Sequence, residues 1–551
     1  MPNDTNQPGN QTPASVDAQP IDDHTASDTV GSAGDGHGSN DGASSGEKHR
    51  DRGAALTQAI TPSPVSAPAQ PKGATGPALT RDRPMAWLIL LALLALSAIP
   101  LYTYLEAYGS LNAAQAHSLQ LSTETWHHRH TMYHGDITPE SMVPVLQGIP
   151  QLDLPPGSVW LNQLAFASLD PLTATDADLA FQMRLLTAAF GLLTIAAVFW
   201  AGFSVGGLKT ATFSALTILS CPVLIWFARA GSPDMPLVGL ETLGVASAMW
   251  ALRPLRPAPS VPRQAIGWLI CGLALGMAVL TGGLAALPVI LMPILVISIM
   301  CPNRISHLLG LVASVFIAGL MVMPWALYVH GQDTHIWELW VGGLLPDTMQ
   351  SMGAFWRALS DRGFLTVVLV MPWTLWLIGS LIQPFSASSS GVRRRVFIGW
   401  AWLLCVLLLV ITGPGSEGLA GLLPLLPAAA ILIGQCLRLF SDLSAEARHA
   451  RTWRLTRWPH LTLFFVASIA MPAAMFFQST LVERGILPYP VVAPMMWYFW
   501  LGLAVSLLLI TIMSTRYALR HYPGKAMICW SVWAVVLMSV TLIPLSRGPL
   551  M

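Results

Sequence analysis

Apolar runs of roughly 20 residues recur along this chain from residue 85 almost to its end, and they leave little choice of fold. A bilayer's hydrocarbon core needs about 20 helical residues to cross it. Lipid offers backbone groups no hydrogen-bond partner, so runs of this length must be helices. They fall near 85–107, 183–205, 210–228, 233–251, 266–282, 284–301, 307–329, 364–382, 396–412, 419–437, 461–478, 495–513 and 527–545. The expected fold class is therefore an all-α polytopic membrane protein with about thirteen transmembrane helices. With 53% hydrophobic and only 10% charged residues among 551, the chain is too apolar for a soluble multidomain protein. The pair at 266–282 and 284–301 is joined by Leu280-Thr281-Gly282-Gly283, which reads either as a tight hairpin or as a break within one helix.

Residues 1–84 contrast with everything after them. Rich in Gly, Ser, Asp, Pro and Ala, they cannot bury enough apolar surface to offset the entropy of ordering, so a disordered cytoplasmic tail is expected there. No signal peptide precedes the first apolar run, and Met85 onward reads as a retained signal anchor leading residues 85–551 into the membrane. A formal net charge of +1 excludes the clustered excess of Lys and Arg that nucleic-acid binding requires. The six cysteines stand singly within or beside apolar runs, as buried thiols do, with no CxxC pair to suggest zinc.

Loop charge orients the chain. With the N-terminus in the cytoplasm, eighteen Lys and Arg between Arg81 and Lys525 lie in inside segments and seven in outside ones. That asymmetry satisfies the positive-inside rule. Thirteen spans would then leave the C-terminus extracytoplasmic, in a plasma or bacterial inner membrane. Two polar segments face outward, 108–182 and 330–363. Loops of such length within a compact domain are usually functional. Aromatic and aliphatic residues at helical spacing in the first (Tyr104, Tyr108, Leu111, Leu119) predict short helices on the membrane surface.

Val143, Pro144, Leu146, Gly148, Pro150, Asp153, Pro155, Pro156, Trp160 and Leu161 are similar to the first-loop signature of the polyprenyl-phosphate-sugar-dependent glycosyltransferases of the C-type fold. That group includes the protein O-mannosyltransferases and the bacterial aminoarabinose transferases. Downstream, Arg184 with its apolar helix, Arg229-Ala-Gly-Ser-Pro233-Asp234, and the Pro-Trp pairs at Pro324 and Pro372 also resemble the family, so the likeness covers nearly all of the chain after residue 85. It implies a C-type fold, a polyprenyl-phosphate-linked sugar donor, inversion at the sugar, and an extracytoplasmic lipid, glycan or protein acceptor.

The resemblance also implies site residues. Members carry an acidic pair about twenty residues before the loop's Val-Pro, and here Glu124-Thr125 stands there, so one carboxylate is retained. The family's Glu-Lys before the double proline is Asp153-Leu154, and its later Lys-Gly-Pro is Thr281-Gly282-Gly283. Glu124 becomes the expected base for the acceptor and Asp153 the second catalytic carboxylate, with Arg229 and Arg184 meeting the donor phosphate. Each has a plainer reading: Glu124 as a surface carboxylate, Asp153 as a turn residue before a Pro-Pro corner, and Asp234 as a helix cap facing the dipole. In the run from Glu124 to His134, one helix face would stack Glu124, His127, His130 and His134 at metal-ligand spacing. A divalent metal there competes with a His-rich wet helix. A chain that binds a lipid-linked glycan without transferring sugar is the alternative function. The topology predicts that single cysteines in 108–182 and 330–363 react with an impermeant thiol reagent added to intact cells, and that those in 383–395 and 438–460 do not. Labelling at Arg393–Arg395 would invert the orientation.

Overall fold

The computed structural model describes residues 78–103, 105, 113–133, 138, 140–170, 173–252, 260–301, 303–342, 352–386, 390–412, 418–442, 451–484, 497–520 and 522–545. The expected disordered tail, apart from its last residues, and His134 lie outside them. Among the described residues the chain is helical throughout, apart from one two-stranded hairpin.

The first segment, α1 (Ala78–Tyr102), leads into the outer loop, which holds α2 (Ala113–Met132), the hairpin β1 (Val145–Leu146) and β2 (Ile149–Pro150), and α3 (Gly157–Phe166). The bundle continues with α4 (Asp176–Gly206), α5 (Leu208–Leu219), α6 (Pro222–Arg229), α7 (Asp234–Leu252), α8 (Val261–Gly282), α9 (Ala286–Met300) and α10 (Arg304–Gln332). After a short α11 (Ile336–Gly342) come α12 (Met352–Leu369), α13 (Thr374–Ser386), α14 (Ser390–Thr412) and α15 (Leu425–Asp442). The chain closes with α16 (Arg451–Phe476), α17 (Gln478–Glu483), α18 (Trp497–Leu519) and α19 (Pro523–Leu545).

Where they are described, the expected apolar runs are mainly helical, but not every run is one long helix. Eight single helices are long and apolar enough to cross a membrane, and up to ten if each of two bent pairs counts as one span. The expected span at 210–228 is α5 and α6, bent by 64°, and that at 364–382 is the facing halves of α12 and α13, bent by 113°. Prolines explain both: Pro222 begins α6 without an N–H to donate, and Pro372 sits between α12 and α13. The Gly282-Gly283 pair ends α8, with Gly283 at φ +72°, and α9 begins afresh at Ala286. Residues 266–301 are thus two separate helices.

α7 and α15 form the centre, with 83% and 78% of their apolar windows buried, whereas α10 buries only 22% and turns Val312, Phe316, Leu320 and Leu327 outward. Outward apolar side chains are what lipid accepts. Small residues let the inner helices approach: a side chain at Gly434 of α15 would collide with Ser214 of α5.

α4 is the longest element and starts earlier than its hydropathy suggests. Thr175 caps it by accepting from the Asp178 N–H at 3.3 Å, while Asp178 accepts from the Thr175 N–H at 2.9 Å. This capping box carries the helix back to Asp176, so the outer loop ends there and Arg184 lies within α4, two turns from its start.

One contact fixes the loop to the bundle. A Cβ on Gly157, at the start of α3, would lie 2.7 Å from the carbonyl carbon and oxygen of Leu280 and 2.9 Å from the Thr281 nitrogen at the end of α8. Backbone cannot swing aside as a side chain does. Gly157→Ala should therefore push α3 off α8 and destabilise the fold by about 1–3 kcal/mol, read as a lowered thermal transition of the purified protein. Gly319→Ala, where nothing lies within 4 Å, is the matched helix control and should not lower it.

Candidate functional site

The outer loop has its own small core, where Trp126 of α2 meets Phe166 of α3 edge-on, with ring centroids 5.7 Å apart, and both pack against Leu179 and Met183 of α4. The inward face of α2 consists of Leu121, Ser122, Thr125 and Trp126, all buried. Ser122 accepts a hydrogen bond from Asn162 Nδ2 at 2.9 Å, which ties α2 to α3.

The hairpin is then pinned to α2 by two adjacent residues. Gln147 and Gly148 both have positive φ, at 53° and 76°, the requirement of a tight two-residue turn between antiparallel strands. Thr125 Oγ1 accepts from the Val145 N–H at 2.9 Å and lies 3.3 Å from the Val145 carbonyl. Glu124 Oε2 accepts a short hydrogen bond from the Gln147 N–H, and its Oε1 accepts from Gln120 Nε2 at 2.8 Å. Both carboxylate oxygens are thus oriented, and each keeps a second lone pair for a substrate proton. Glu124 is half-buried.

Three residues beyond the hairpin, Asp153 is exposed, and its carbonyl lies 3.4 Å from the indole nitrogen of Trp340 in α11. Trp340 stacks on Trp325 of α10 with centroids 5.0 Å apart, so the second outer loop reaches the first at this point. The Pro155-Pro156 corner follows, and a Cβ on Gly283 would lie 3.5 Å from Pro155 Cγ. Leu154 and Thr281, which stand where the resemblance expects lysines, therefore flank a single corner of the structure.

The arginines lie deeper. Arg229, only 1% exposed, donates from Nη1 to the carbonyls of Pro100 at 2.6 Å and Thr103 at 2.8 Å, where the C-terminal end of α1 favours a cation. Arg184 is also buried, and its stem packs near Gly231, whose φ of +70° makes the turn from α6 into α7. Asp234 is the first residue of α7; it accepts from the Ser232 hydroxyl, which accepts the Asp234 N–H at 3.3 Å. That places Asp234 at the positive end of the helix, while the Ser232 hydroxyl caps the first N–H.

The histidines follow the predicted helix without converging. His127 and His130 both lie against the Trp126 ring, at 5.3 and 5.1 Å, and His130 Nδ1 bonds the Trp126 carbonyl at 2.8 Å. Among the described residues no three His, Cys, Asp or Glu side chains are grouped to hold a metal. Of the expected set His127, His130 and His134, the last lies outside the described residues, and the first two are not grouped with a third donor among them. Thr125, by contrast, matters more than its sequence shows: its role depends on Val145, twenty residues away.

Comparisons with known proteins bear on the fold that carries these residues. Residues 157–340 match the family model described as dolichyl-phosphate-mannose-protein mannosyltransferase. The undecaprenyl phosphate-alpha-4-amino-4-deoxy-L-arabinose arabinosyl transferase of Pectobacterium carotovorum subsp. carotovorum (strain PC1) is 26% identical over 339 residues, covering 60% of this chain. A protein of the same name from Pseudomonas aeruginosa (strain UCBPP-PA14) is 31% identical over 183 residues, 31% of each chain. The chain spans 57% of the length of the Pectobacterium relative. In structure it is similar to ArnT from Cupriavidus metallidurans bound to undecaprenyl phosphate, with a TM-score of 0.56 at 18% identity over 83% of this chain and 78% of that one. The multi-pass C-type fold expected from the first loop is therefore the fold of this chain.

The clamp at Thr125 can be tested directly. Thr125→Val keeps the shape but leaves the buried Val145 N–H without its acceptor, and should cost about 1–3 kcal/mol of stability. Thr125→Ser retains the hydroxyl and should recover most of it in the same thermal unfolding measurement.

Proposed function

We propose that this chain, a membrane protein of the C-type fold similar to the aminoarabinose and protein mannosyl transferases, moves a sugar from a polyprenyl-phosphate donor to an extracytoplasmic lipid, glycan or protein acceptor. The observation that carries this reading is the fixing of Glu124 at the hairpin turn, on a loop whose next residues dock at the end of α8. A general base has to be held in place while the substrate moves to meet it.

In the reaction, the acceptor nucleophile attacks the sugar's anomeric carbon on the face opposite the phosphate. The carbon–oxygen bond to phosphate breaks, and polyprenyl phosphate leaves with the electron pair. Glu124 takes the acceptor's proton through the lone pairs it has left. Asp153, exposed on the same loop, orients the acceptor or the sugar hydroxyls. Arg184 and Arg229 supply positive charge against the departing phosphate. Arg229 does so as a fixed charge, because its Nη1 is committed to the end of α1. No step is assigned to a divalent metal, since the described residues offer no matching donor set.

The orientation that suits this chemistry places the outer loop outside a plasma or bacterial inner membrane, with the N-terminus in the cytoplasm and the C-terminus outside. The distribution of Lys and Arg along the sequence supports it. A second reading, binding of a lipid-linked glycan without transfer, is favoured by Leu154 and Thr281 at the corner beside Asp153.

Incubating the purified protein with labelled polyprenyl-phosphate sugars separates the two, because only the first releases polyprenyl phosphate and labels an acceptor. Glu124→Gln keeps the size and most of the hydrogen bonding but removes the proton-accepting charge. It should lower the rate on the order of 100- to 10,000-fold and leave the thermal transition nearly unchanged. Asp153→Asn should lower the rate less, and Glu140→Gln, exposed in the same loop, should leave it unaltered. Turnover at the wild-type rate in Glu124→Gln would remove the base. Retained binding with no turnover in wild type would establish the second reading.

A further inference from the structure

A cavity of about 190 Å3 opens at the end of the bundle opposite the outer loop. The placement follows from α4, which leaves the loop at Asp176 and reaches this cavity at Val205 and Gly206, 31 residues and thus ~45 Å later. The walls come from four elements: the α4–α5 junction at Gly206 and Thr210, Val396 of α14, and Gln435, Arg438 and Asp442 of α15.

Two of these walls are unusual. Gln435 is 4% exposed and Thr210 is 0% exposed, yet neither the amide nitrogen and oxygen of Gln435 nor the hydroxyl of Thr210 has a hydrogen-bond partner among the described residues. Buried polar groups are nearly always paired, and each one left unpaired costs about 1–3 kcal/mol. Space is reserved for the amide as well, since a Cβ on Gly399 of α14 would lie 2.9 Å from Gln435 Oε1. Gln435 and Thr210 both line the cavity, so theirs are the unpaired polar groups nearest to a molecule that enters it.

The charges at the mouth define that ligand. Lys209 Nζ lies 2.5 Å from Asp442 Oδ1, Arg438 Nε lies 3.3 Å from Asp442 Oδ2, and Arg438 Nη1 donates a short hydrogen bond to the Gly206 carbonyl. Two cations share one carboxylate, which leaves the mouth with a net positive charge. The remaining walls, Val205 and Leu439, are apolar and belong to helices of membrane-crossing length. Basic pockets between such helices, at the level where head groups lie, are where anionic lipids are recognised.

We propose that this cavity binds the head group of an anionic phospholipid. The phosphodiester meets Arg438 and Lys209, while head-group hydroxyls bond Gln435, Thr210 and Asp442. A glycerol head group supplies both the charge and the hydroxyls. Water alone is the competing occupant.

The test is a thermal unfolding titration of the full chain purified in a neutral detergent. Phosphatidylglycerol should raise the transition saturably, whereas phosphatidylcholine and inorganic phosphate should not. Gln435→Leu and Thr210→Val remove the unpaired polar groups, so without lipid their transitions should equal or exceed that of wild type. Their half-saturating phosphatidylglycerol concentration should rise roughly fivefold, as loss of a neutral hydrogen bond of about 1 kcal/mol implies. Thr210→Val, the closest in shape, carries the test if Gln435→Leu does not fold. Equal titrations in wild type and variants, an equal effect of phosphatidylcholine, or no saturable effect at all would each overturn the proposal. A rise with inorganic phosphate alone would assign the cavity to a free anion and overturn the lipid.

Discussion

Backbone groups inside a bilayer must find their partners within the protein, and in this chain that requirement bears on two places where helices break. Ser220 and Cys221, at the bend between α5 and α6, are fully buried, as is Trp373 at the bend between α12 and α13. The two bends meet: Trp373 Nε1 donates to Ser220 Oγ at 2.9 Å, and that hydroxyl is in turn 2.5 Å from the Leu216 carbonyl and 3.0 Å from that of Thr217. Carbonyls at the end of α5 are thus met by the Ser220 hydroxyl, which also takes the indole N–H from the second bend, and irregular backbone is tolerated at membrane depth where it is buried in protein in this way. Without the first bend, α6 would continue along α5. With it, α6 turns away and brings Arg229 beneath the last carbonyls of α1.

The outer loop inherits its rigidity from this arrangement in short steps. Arg229 fixes the end of α1, the α6–α7 turn at Gly231 packs beside Arg184, and the neighbouring Met183 joins Leu179 in the core that receives Trp126 and Phe166. From Trp126 it is one residue to Thr125 and two to Glu124, which hold opposite ends of one hairpin strand. A carboxylate positioned by such a chain is pre-organised in the sense that catalysis requires. Its geometry is set by packing tens of residues away.

What the sequence showed and what it hid divide along physical lines. Membrane spanning imposes a one-dimensional demand, about 20 apolar residues in a row, so each run could be read directly, and where described the runs are mainly helical. The bends were signalled by Pro222 and Pro372 but cannot be sized without the tertiary packing that covers them. α4 begins at Asp176 rather than near residue 183 because its first turns are polar and held by a capping box, which hydropathy does not register. The histidine spacing correctly described a helix, but spacing does not say that Trp126 would draw His127 and His130 to its own ring. Thr125 and Gln435 were the least legible. A threonine in a loop and a glutamine in an apolar run carry no signal until their surroundings, a strand twenty residues on and the wall of a cavity, are known.

The departures from the resemblance also make better sense in space than in sequence. Thr125 replaces an acid, while Leu154 and Thr281 replace two lysines, three changes far apart in the chain. Structurally they lie along one strip: Thr125 holds the hairpin, the hairpin leads to Leu154, and the corner beside Leu154 rests on the end of α8 at Leu280 and Thr281. In a poorly solvated place an unpaired charge of either sign is costly, so losing the acid and the cations together disturbs the electrostatics less than losing either alone. The hydroxyl of Thr125 then takes over, without charge, the mechanical task of holding the loop. Among the described residues Glu124 is left as the one carboxylate tied to the hairpin turn, and the proposed proton transfer rests on it.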